Sequence, residues 1–156
     1  MAFYPFKTHS LPCQQASESR LYTVSTPTKE HLRKFRLSTS RSDKPQAVIY
    51  LIDKVTLEIR LDDEGIVYHD LEELGEELPD HAPRFILLSY PLTLSSGRLS
   101  VPYVLVYYLP ATCNAEARML YAGAKELLRA EAGVGRVIEI ESAEDLAEIK
   151  EKLGGE

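Results

Sequence analysis

The side chains that could perform catalysis or bind a metal are scattered along this sequence. His9 lies near Cys13 and His69 lies near His81, but neither pair has the further ligands that a zinc site requires. Cys113 has no neighbour in the sequence of the kind that activates a thiol. The residue types therefore predict no metal, no cofactor and no catalytic site. An enzyme whose site is assembled from distant residues is the weakest alternative.

Glycines and carboxylates give no stronger catalytic signal. The segment 132–137, AGVGRV, follows a predicted helix instead of opening one after a strand, so its glycines end that helix and do not cradle a phosphate. The acidic pairs at 62–63 and 76–77 fall in a predicted turn and on a solvated helix face. What remains is binding chemistry, in which basic side chains stand next to apolar ones.

The segment from Thr112 to Ala130 predicts one long helix that carries such a surface. Asn114 or Thr112 is suited to the N-cap, and Gly133 with Gly135 ends the helix. Residues at helical spacing predict its core face, namely Leu120, Gly123 or Ala124, Leu127 and Leu128.

Four side chains of this helix fall outside that stripe. Met119 and Tyr121 are largely apolar, whereas Arg118 and Lys125 are basic. An apolar anchor flanked by cations is the form expected of a helix that docks into a partner's groove. The alternative is that Met119 fills a gap in the core and that the charges form a solvated face.

A second basic surface is predicted on the helix over 27–37, which opens with a proline at its first position. Leu32 and Phe35 face one way, while four cations lie on or beside another face: Lys29, Arg33, Lys34 and Arg36. Because the rest of the chain is acidic, this concentration of positive charge indicates attraction to an acidic partner. A solvated charged face is the alternative.

Two hairpins supply most of the predicted sheet. Residues 46–52 form an apolar run and residues 56–61 alternate strictly, which predicts the first hairpin. Residues 84–92 and 101–109 predict the second, and its connecting turn carries Arg98 at or near the tip. Arg98 is therefore exposed, either as a solubilising charge or as a contact residue.

Three further elements complete the predicted fold. Asp70 caps a helix over 70–78, and Ser142 opens a final helix. Residues 136–140 form a strand that lies parallel to the preceding one, because the long helix between them makes a crossover. The predicted class is α/β (α+β), with a central five-stranded mixed sheet, mostly antiparallel, flanked by helices.

Length and charge narrow the functional classes. The chain has 156 residues, of which 44% are hydrophobic, enough for one domain with one core. Residues 1–44 hold 8 Lys and Arg against 3 Asp and Glu, whereas residues 45–156 hold 10 against 21, giving a net charge of −6. An acidic bulk argues against nucleic-acid binding, which needs a wide basic surface.

The sequence also indicates the compartment in which the protein works. The two cysteines show no disulfide spacing, no apolar run is long enough to span a membrane, and no secretion signal is recognisable. We therefore expect a soluble, monomeric intracellular protein that binds no membrane. Residues 1–16 lack periodicity, so we expect a flexible N-terminal extension there and the folded domain over 17–154.

Five sequence blocks identify a family. They are LRKFR at 32–36, ELPDHAPRFILLSY at 77–90, GRLSVP at 97–102, MLYAGAK at 119–125 and EDLAEIKEKLG at 144–154. In these blocks, in their order and in their spacing, the chain resembles glia maturation factor, a branch of the actin-depolymerising factor/cofilin homology family, from Ser17 to about Leu153. The resemblance implies a single actin-depolymerising factor homology domain.

The resemblance also implies a function. Proteins of this branch are non-enzymatic regulators of branched actin networks in the cytoplasm and cytoskeleton, including cortical actin patches. They bind the actin-related protein 2/3 complex, inhibit nucleation and dissociate daughter filaments, and they bind actin monomers poorly. The alternative is a cofilin-like protein that severs filaments and binds monomers.

Carried over to this sequence, the resemblance implies two binding surfaces. The first would contact a cleft in an actin-related subunit, and it comprises Ser17, Ser19, Arg118, Met119, Leu120 and Lys125, with Lys34 and Arg36 adding positive charge. The second would use Arg98 to contact the actin subunit at the branch junction. Cofilins carry more positive charge where this chain has Glu116, which weakens the case for binding monomers or phosphoinositides.

Overall fold

The computed structural model describes residues 22–39, 43–62 and 66–154 of the chain. In these ranges the chain forms eight strands, four α-helices and one 3₁₀ helix. In order they are β1 (Thr23–Val24), α1 (Thr26–Thr39), β2 (Gln46–Ile52), β3 (Glu58–Leu61), α2 (Leu71–Glu77), β4 (Arg84–Ser89), β5 (Leu92–Thr93), β6 (Leu99–Ser100), β7 (Tyr103–Tyr108), α3 (Ala115–Ala132), β8 (Val137–Ile140), the 3₁₀ helix (Ala143–Glu148) and α4 (Ile149–Gly154).

The main sheet is mixed, as predicted, and its strand order is β1-β3-β2-β4-β7-β8. The pairs β3–β2, β2–β4 and β4–β7 are antiparallel. Strands β7 and β8 run parallel, which confirms the predicted crossover. The described sheet has six strands where five were expected. The added strand is β1, which pairs parallel with β3 through two residues only, too few to produce a periodic signal in the sequence.

Helices cover both faces of this sheet. Helices α1 and α3 pack on one face, where Phe35 and Leu128 join Leu87 and Leu105 in a buried cluster. Helices α2 and α4 and the 3₁₀ helix pack on the other face, in a cluster that contains Leu74. Because β2, β4 and β7 are buried on both faces, they read as continuous apolar runs. The predicted fold class is confirmed.

The core face of α3 differs from the predicted stripe. Five residues of the helix are buried: Ala117, Tyr121, Ala124, Leu128 and Ala132. Tyr121 was placed on the surface by the sequence pattern, yet it is 3% exposed, and its hydroxyl accepts a hydrogen bond from the backbone N–H of Ile52 at 3.1 Å. That placement was wrong because the buried stripe follows the 3.6-residue period mainly through alanines. Alanine is small and only weakly hydrophobic, so these positions did not stand out in the sequence pattern.

The helix ends follow the predicted capping chemistry. The Asn114 side chain accepts from the backbone N–H of Ala117 at 2.7 Å, and Gly133 ends α3 with a positive φ of 69°. Asp70 caps α2, and the Asp145 carboxylate accepts from the Ser142 backbone N–H at 3.3 Å. Local sequence therefore sets where α3 begins, which in turn sets which side chains reach the surface described next.

Candidate partner-binding surface

The exposed face of α3 presents an apolar side chain between basic ones. Met119 is 75% exposed and therefore does not fill a gap in the core. Arg118 is exposed beside it, Leu120 is half-buried, and Lys125 is half-buried one to two turns further along. An exposed large apolar side chain costs free energy in water, so this surface is suited to burial against another molecule.

A cleft of about 710 Å³ lies beside this face. Six of its lining residues come from α3 and its N-cap, and the others come from the N-terminal strand region and from the β2–β3 turn: Tyr22, Lys54, Leu57, Asn114, Glu116, Ala117, Met119, Leu120 and Gly123. A partner side chain entering this cleft would contact the helix and the turn together. The sequence predicted the helix wall only.

Tyr22 holds the start of the described chain against α3. Its hydroxyl donates to the Leu120 carbonyl at 2.8 Å, across 98 residues of sequence. A Cβ at Gly123 would stand 2.5 Å from the Tyr22 hydroxyl oxygen, so any larger residue would displace this hydroxyl. The glycine of the MLYAGAK block therefore has a packing role: it admits the ring that closes one end of the cleft.

The β2–β3 turn, which contributes Lys54 and Leu57 to the lining of the cleft, is held by hydrogen bonds to Asp53. The Asp53 carboxylate accepts from the backbone N–H of Val55 at 2.8 Å and of Thr56 at 3.2 Å. These two hydrogen bonds keep the pKa of Asp53 below its ordinary value. They outweigh the opposing effect of desolvation, and the charge of Arg60 adds a smaller contribution in the lowering direction. Leu57 adopts a φ of 59°, a left-handed conformation that is costly for a residue with a Cβ.

Lys125 is oriented by an aromatic ring. Its Nζ lies 5.8 Å from the centroid of the Tyr107 ring, within the range of a cation–π contact. Burial, reinforced by the charge of Glu139, raises the pKa of Tyr107 to about 12, so the ring stays neutral at physiological pH. The charge of Lys125 is thus held at the side of α3 and is not free to sample all directions.

The basic residues of α1 lie apart from Met119. Lys34 and Arg36 are exposed, as expected, but the Arg36 guanidinium lies against Gly133, beyond the C-terminal end of α3. Fourteen residues of helix separate Gly133 from Met119, or roughly 20 Å at 1.5 Å per residue. Lys29 is partly compensated by Glu131 at 3.9 Å. Arg36 and Lys29 therefore lie near the C-terminal end of α3 and away from Met119.

Arg98 lies at the end of the sheet opposite the start of α3. Strands β5 and β6 form a separate two-stranded hairpin just before β7, whereas α3 begins after β7 ends. The Leu94 N–H donates to the Arg98 carbonyl at 2.8 Å, and Gly97 supplies the positive φ of the turn, 85°. Arg98 is exposed, and next to it Leu99 is 66% exposed. Ser17 and Ser19 lie outside the described residues.

The described residues hold neither a cluster of metal-binding side chains nor a membrane-spanning helix. No group of three or more His, Cys, Asp or Glu side chains in 22–39, 43–62 and 66–154 could hold a metal ion. Across those same ranges, no helix is both long and apolar enough to cross a bilayer. Cys113 is buried and free.

Comparison with known proteins gives consistent matches. The family model described as cofilin/tropomyosin-type actin-binding protein matches residues 22–154. Protein AIM7 of Saccharomyces cerevisiae is 41% identical over 150 residues, covering 86% of this chain and 97% of that protein. Human glia maturation factor beta is 40% identical over 129 residues, covering 80% and 87% respectively.

Solved structures show the same relationship in three dimensions. The solution structure of glia maturation factor from Caenorhabditis elegans superposes with a TM-score of 0.68 at 35% identity, covering 83% of this chain and 95% of that one. Plasmodium berghei actin depolymerization factor 2 gives a TM-score of 0.71 over 86% and 97%, but at 19% identity it shows the fold alone. The chain belongs to the cofilin/tropomyosin-type actin-binding family, and within it to the glia maturation factor branch.

Proposed function

We propose that this protein is a non-enzymatic, cytoplasmic regulator of branched actin networks. It binds the actin-related protein 2/3 complex, inhibits nucleation and promotes dissociation of daughter filaments. It acts as a monomer and needs no cofactor. Membership of an actin-binding family and similarity to proteins named glia maturation factor support this proposal.

The observation that carries the proposal is the exposure of Met119. The side chain is 75% exposed on a rigid helix and is flanked by Arg118 and Lys125. A flexible apolar side chain between cations suits an apolar cleft with an acidic rim, such as the cleft of an actin-related subunit. Leu120 and the cleft beside α3 extend the same contact.

A second contact at Arg98 would provide the debranching activity. The Arg98 hairpin projects from the end of the sheet opposite the start of α3, so one molecule can touch two subunits at once. Binding free energy at both contacts then favours the arrangement of subunits in which both are made. If that arrangement differs from the intact branch junction, the daughter filament is released without a chemical step.

The experiment is single-filament microscopy of preformed branches, with branch loss and filament severing counted separately. The proposal expects branch loss while mother filaments stay intact. Severing along unbranched filaments, together with tight monomer binding, would instead identify a cofilin-like activity. No effect on branches at saturating protein would refute the proposal.

Met119→Ala tests the first surface directly. Because the side chain is exposed, we expect the stability of the free protein to change by less than about 0.5 kcal/mol. Affinity for the complex should fall at least about 30-fold if Met119 is a central contact, which corresponds to roughly 2 kcal/mol. The matched control is Ile66→Ala, which truncates another apolar side chain, 52% exposed, that does not line the cleft. Equal affinities of the two variants would refute the assigned role of Met119.

A further inference from the structure

A second cavity, of about 380 Å³, lies at the end of the sheet where α1 and α3 terminate. Its lining combines one cation, three hydroxyl-bearing residues and apolar or backbone surface, with no carboxylate: Arg36, Leu37, Thr39, Ser89, Val101, Tyr103 and Gly133. None of these residues lines the cleft beside α3. The cavity is therefore separate from the cleft beside α3.

Two hydroxyl groups of this cavity have no hydrogen-bond partner. Ser89 is 0% exposed, and neither its Oγ nor the Tyr103 hydroxyl is paired with any group in the described chain. Buried hydroxyls are ordinarily paired, since leaving one unpaired forfeits its interaction with water. Ser89 and Tyr103 are directly opposite each other in the antiparallel β4–β7 register, so both side chains leave the same face of the sheet.

Arg36 brings a positive charge to the same place. Its guanidinium lies directly against Gly133, where a Cβ would displace it, and the φ of 69° at this position favours glycine. No hydrogen bond or ion pair engages that guanidinium within the described ranges. Burial raises the pKa of Tyr103 to about 12, while the charge of Arg36 acts in the lowering direction, which indicates that the two groups are close.

We propose that this cavity is a binding site for a free phosphate-sized oxyanion. Arg36 supplies charge-assisted donors, and the hydroxyls of Ser89 and Tyr103 supply two neutral donors from the floor. All three groups can donate to anionic oxygens, and no carboxylate in the lining opposes the negative charge. The depth of the Ser89 hydroxyl favours a small free ion over a phosphate held at a membrane surface, and the exposed Arg36 side chain forms the entrance.

The test is a titration of the free protein with inorganic phosphate at constant ionic strength, followed by backbone amide NMR and by thermal unfolding. Saturable shifts should centre on Val101, Tyr103 and Gly133. Phosphate at about 100 times its Kd should raise Tm by roughly 5–10 °C. The response should be lost in Arg36→Gln and at least tenfold weaker in Ser89→Ala. It should persist in Arg33→Gln, which removes an exposed cation of α1 that does not line the cavity.

Several outcomes would overturn the proposal. Shifts that do not saturate, or that are equal in Arg36→Gln and Arg33→Gln, would show a general ionic effect. Binding to phosphatidylcholine vesicles that contain phosphatidic acid, without any response to inorganic phosphate, would place the ligand in a membrane and refute a free-ion site. Arg36→Gln alters an exposed side chain, so we expect this variant to fold. Its phosphate titration therefore tests the proposal even if Ser89→Ala does not fold. The titration contains no actin or nucleation complex, so it is independent of the proposed function.

Discussion

The contact between Tyr22 and Gly123 makes a quantitative prediction through a double-mutant cycle. Gly123 is an exposed residue in the interior of α3, where alanine would ordinarily stabilise a helix by about 1 kcal/mol. Here the added methyl would stand 2.5 Å from the Tyr22 hydroxyl oxygen. Relieving that contact moves the hydroxyl away and breaks its 2.8 Å bond to the Leu120 carbonyl, a loss of about 0.5–1.5 kcal/mol.

These opposing contributions nearly cancel, so we expect Gly123→Ala to change the free energy of unfolding by no more than about 0.5 kcal/mol in either direction in the wild-type background. In the Tyr22→Phe background the colliding oxygen is absent, and the nearest ring atoms lie at 3.2–3.3 Å, which small shifts accommodate. The same substitution should then be stabilising. We expect the two changes to couple by about 1 kcal/mol, which is above the deviation from additivity of independent sites.

The assay is urea unfolding of the four proteins of the cycle, with thermal unfolding as a second readout, in which 1 kcal/mol corresponds to roughly 2–4 °C. Gly75→Ala is the control: it lies in α2, and its added methyl would meet Ala143 Cβ at an ordinary 3.4 Å. That change should be additive with Tyr22→Phe. Additivity of Gly123→Ala with Tyr22→Phe to within about 0.5 kcal/mol would refute the proposed packing role of Gly123.

Three further predictions concern charge. Lys34→Ala combined with Arg36→Ala should weaken binding of the actin-related protein 2/3 complex. The loss of affinity should be smaller at high salt, because salt screens the electrostatic attraction between exposed charges. A loss that does not depend on salt in a binding titration would contradict this prediction. Arg98→Ala should reduce the rate of branch dissociation in microscopy more than it reduces affinity for the complex, and equal losses would argue against two separable surfaces. The charge-matched control is Lys152→Ala, which lies on the opposite face of the sheet from α3. Desolvation, together with the charge of Lys34, lowers the pKa of His31 in the folded protein. Below about pH 6.5 the unfolded chain therefore binds a proton at His31 more readily than the folded chain does, and the free energy of unfolding should fall as pH decreases. Unfolding measured across this range should show a shallower slope for His31→Asn than for the control His69→Asn, and identical slopes would exclude His31 as the cause.

The elements of the fold were largely predictable because their signals are local. The apolar run at Gln46–Ile52 and the caps at Asn114 and Asp70 each act within a few residues of the chain, and the structure confirms them. The parallel pairing of β7 with β8 was also predictable, because a strand, a long helix and a strand admit few arrangements. For Met119 the sequence left two interpretations open, a surface contact and a core filler, and its exposure excludes the second.

The composition of the candidate sites was decided by tertiary structure. Tyr22 and Leu120 meet across 98 residues, and Leu57 lines the cleft from a turn in which it adopts a left-handed φ that its side chain does not favour. Arg36 belongs to a basic run in the sequence, yet packing places it beside Gly133 and the unpaired hydroxyl of Ser89. By itself the sequence determined the long helices and the central strands, since those elements depend on near neighbours, whereas the two-residue strand β1 and the burial of Tyr121 emerged only in the folded chain. Which exposed residues share a cleft depends on how helices α1 and α3 pack on the sheet, a non-local balance of burial and close contact that only the folded chain defines.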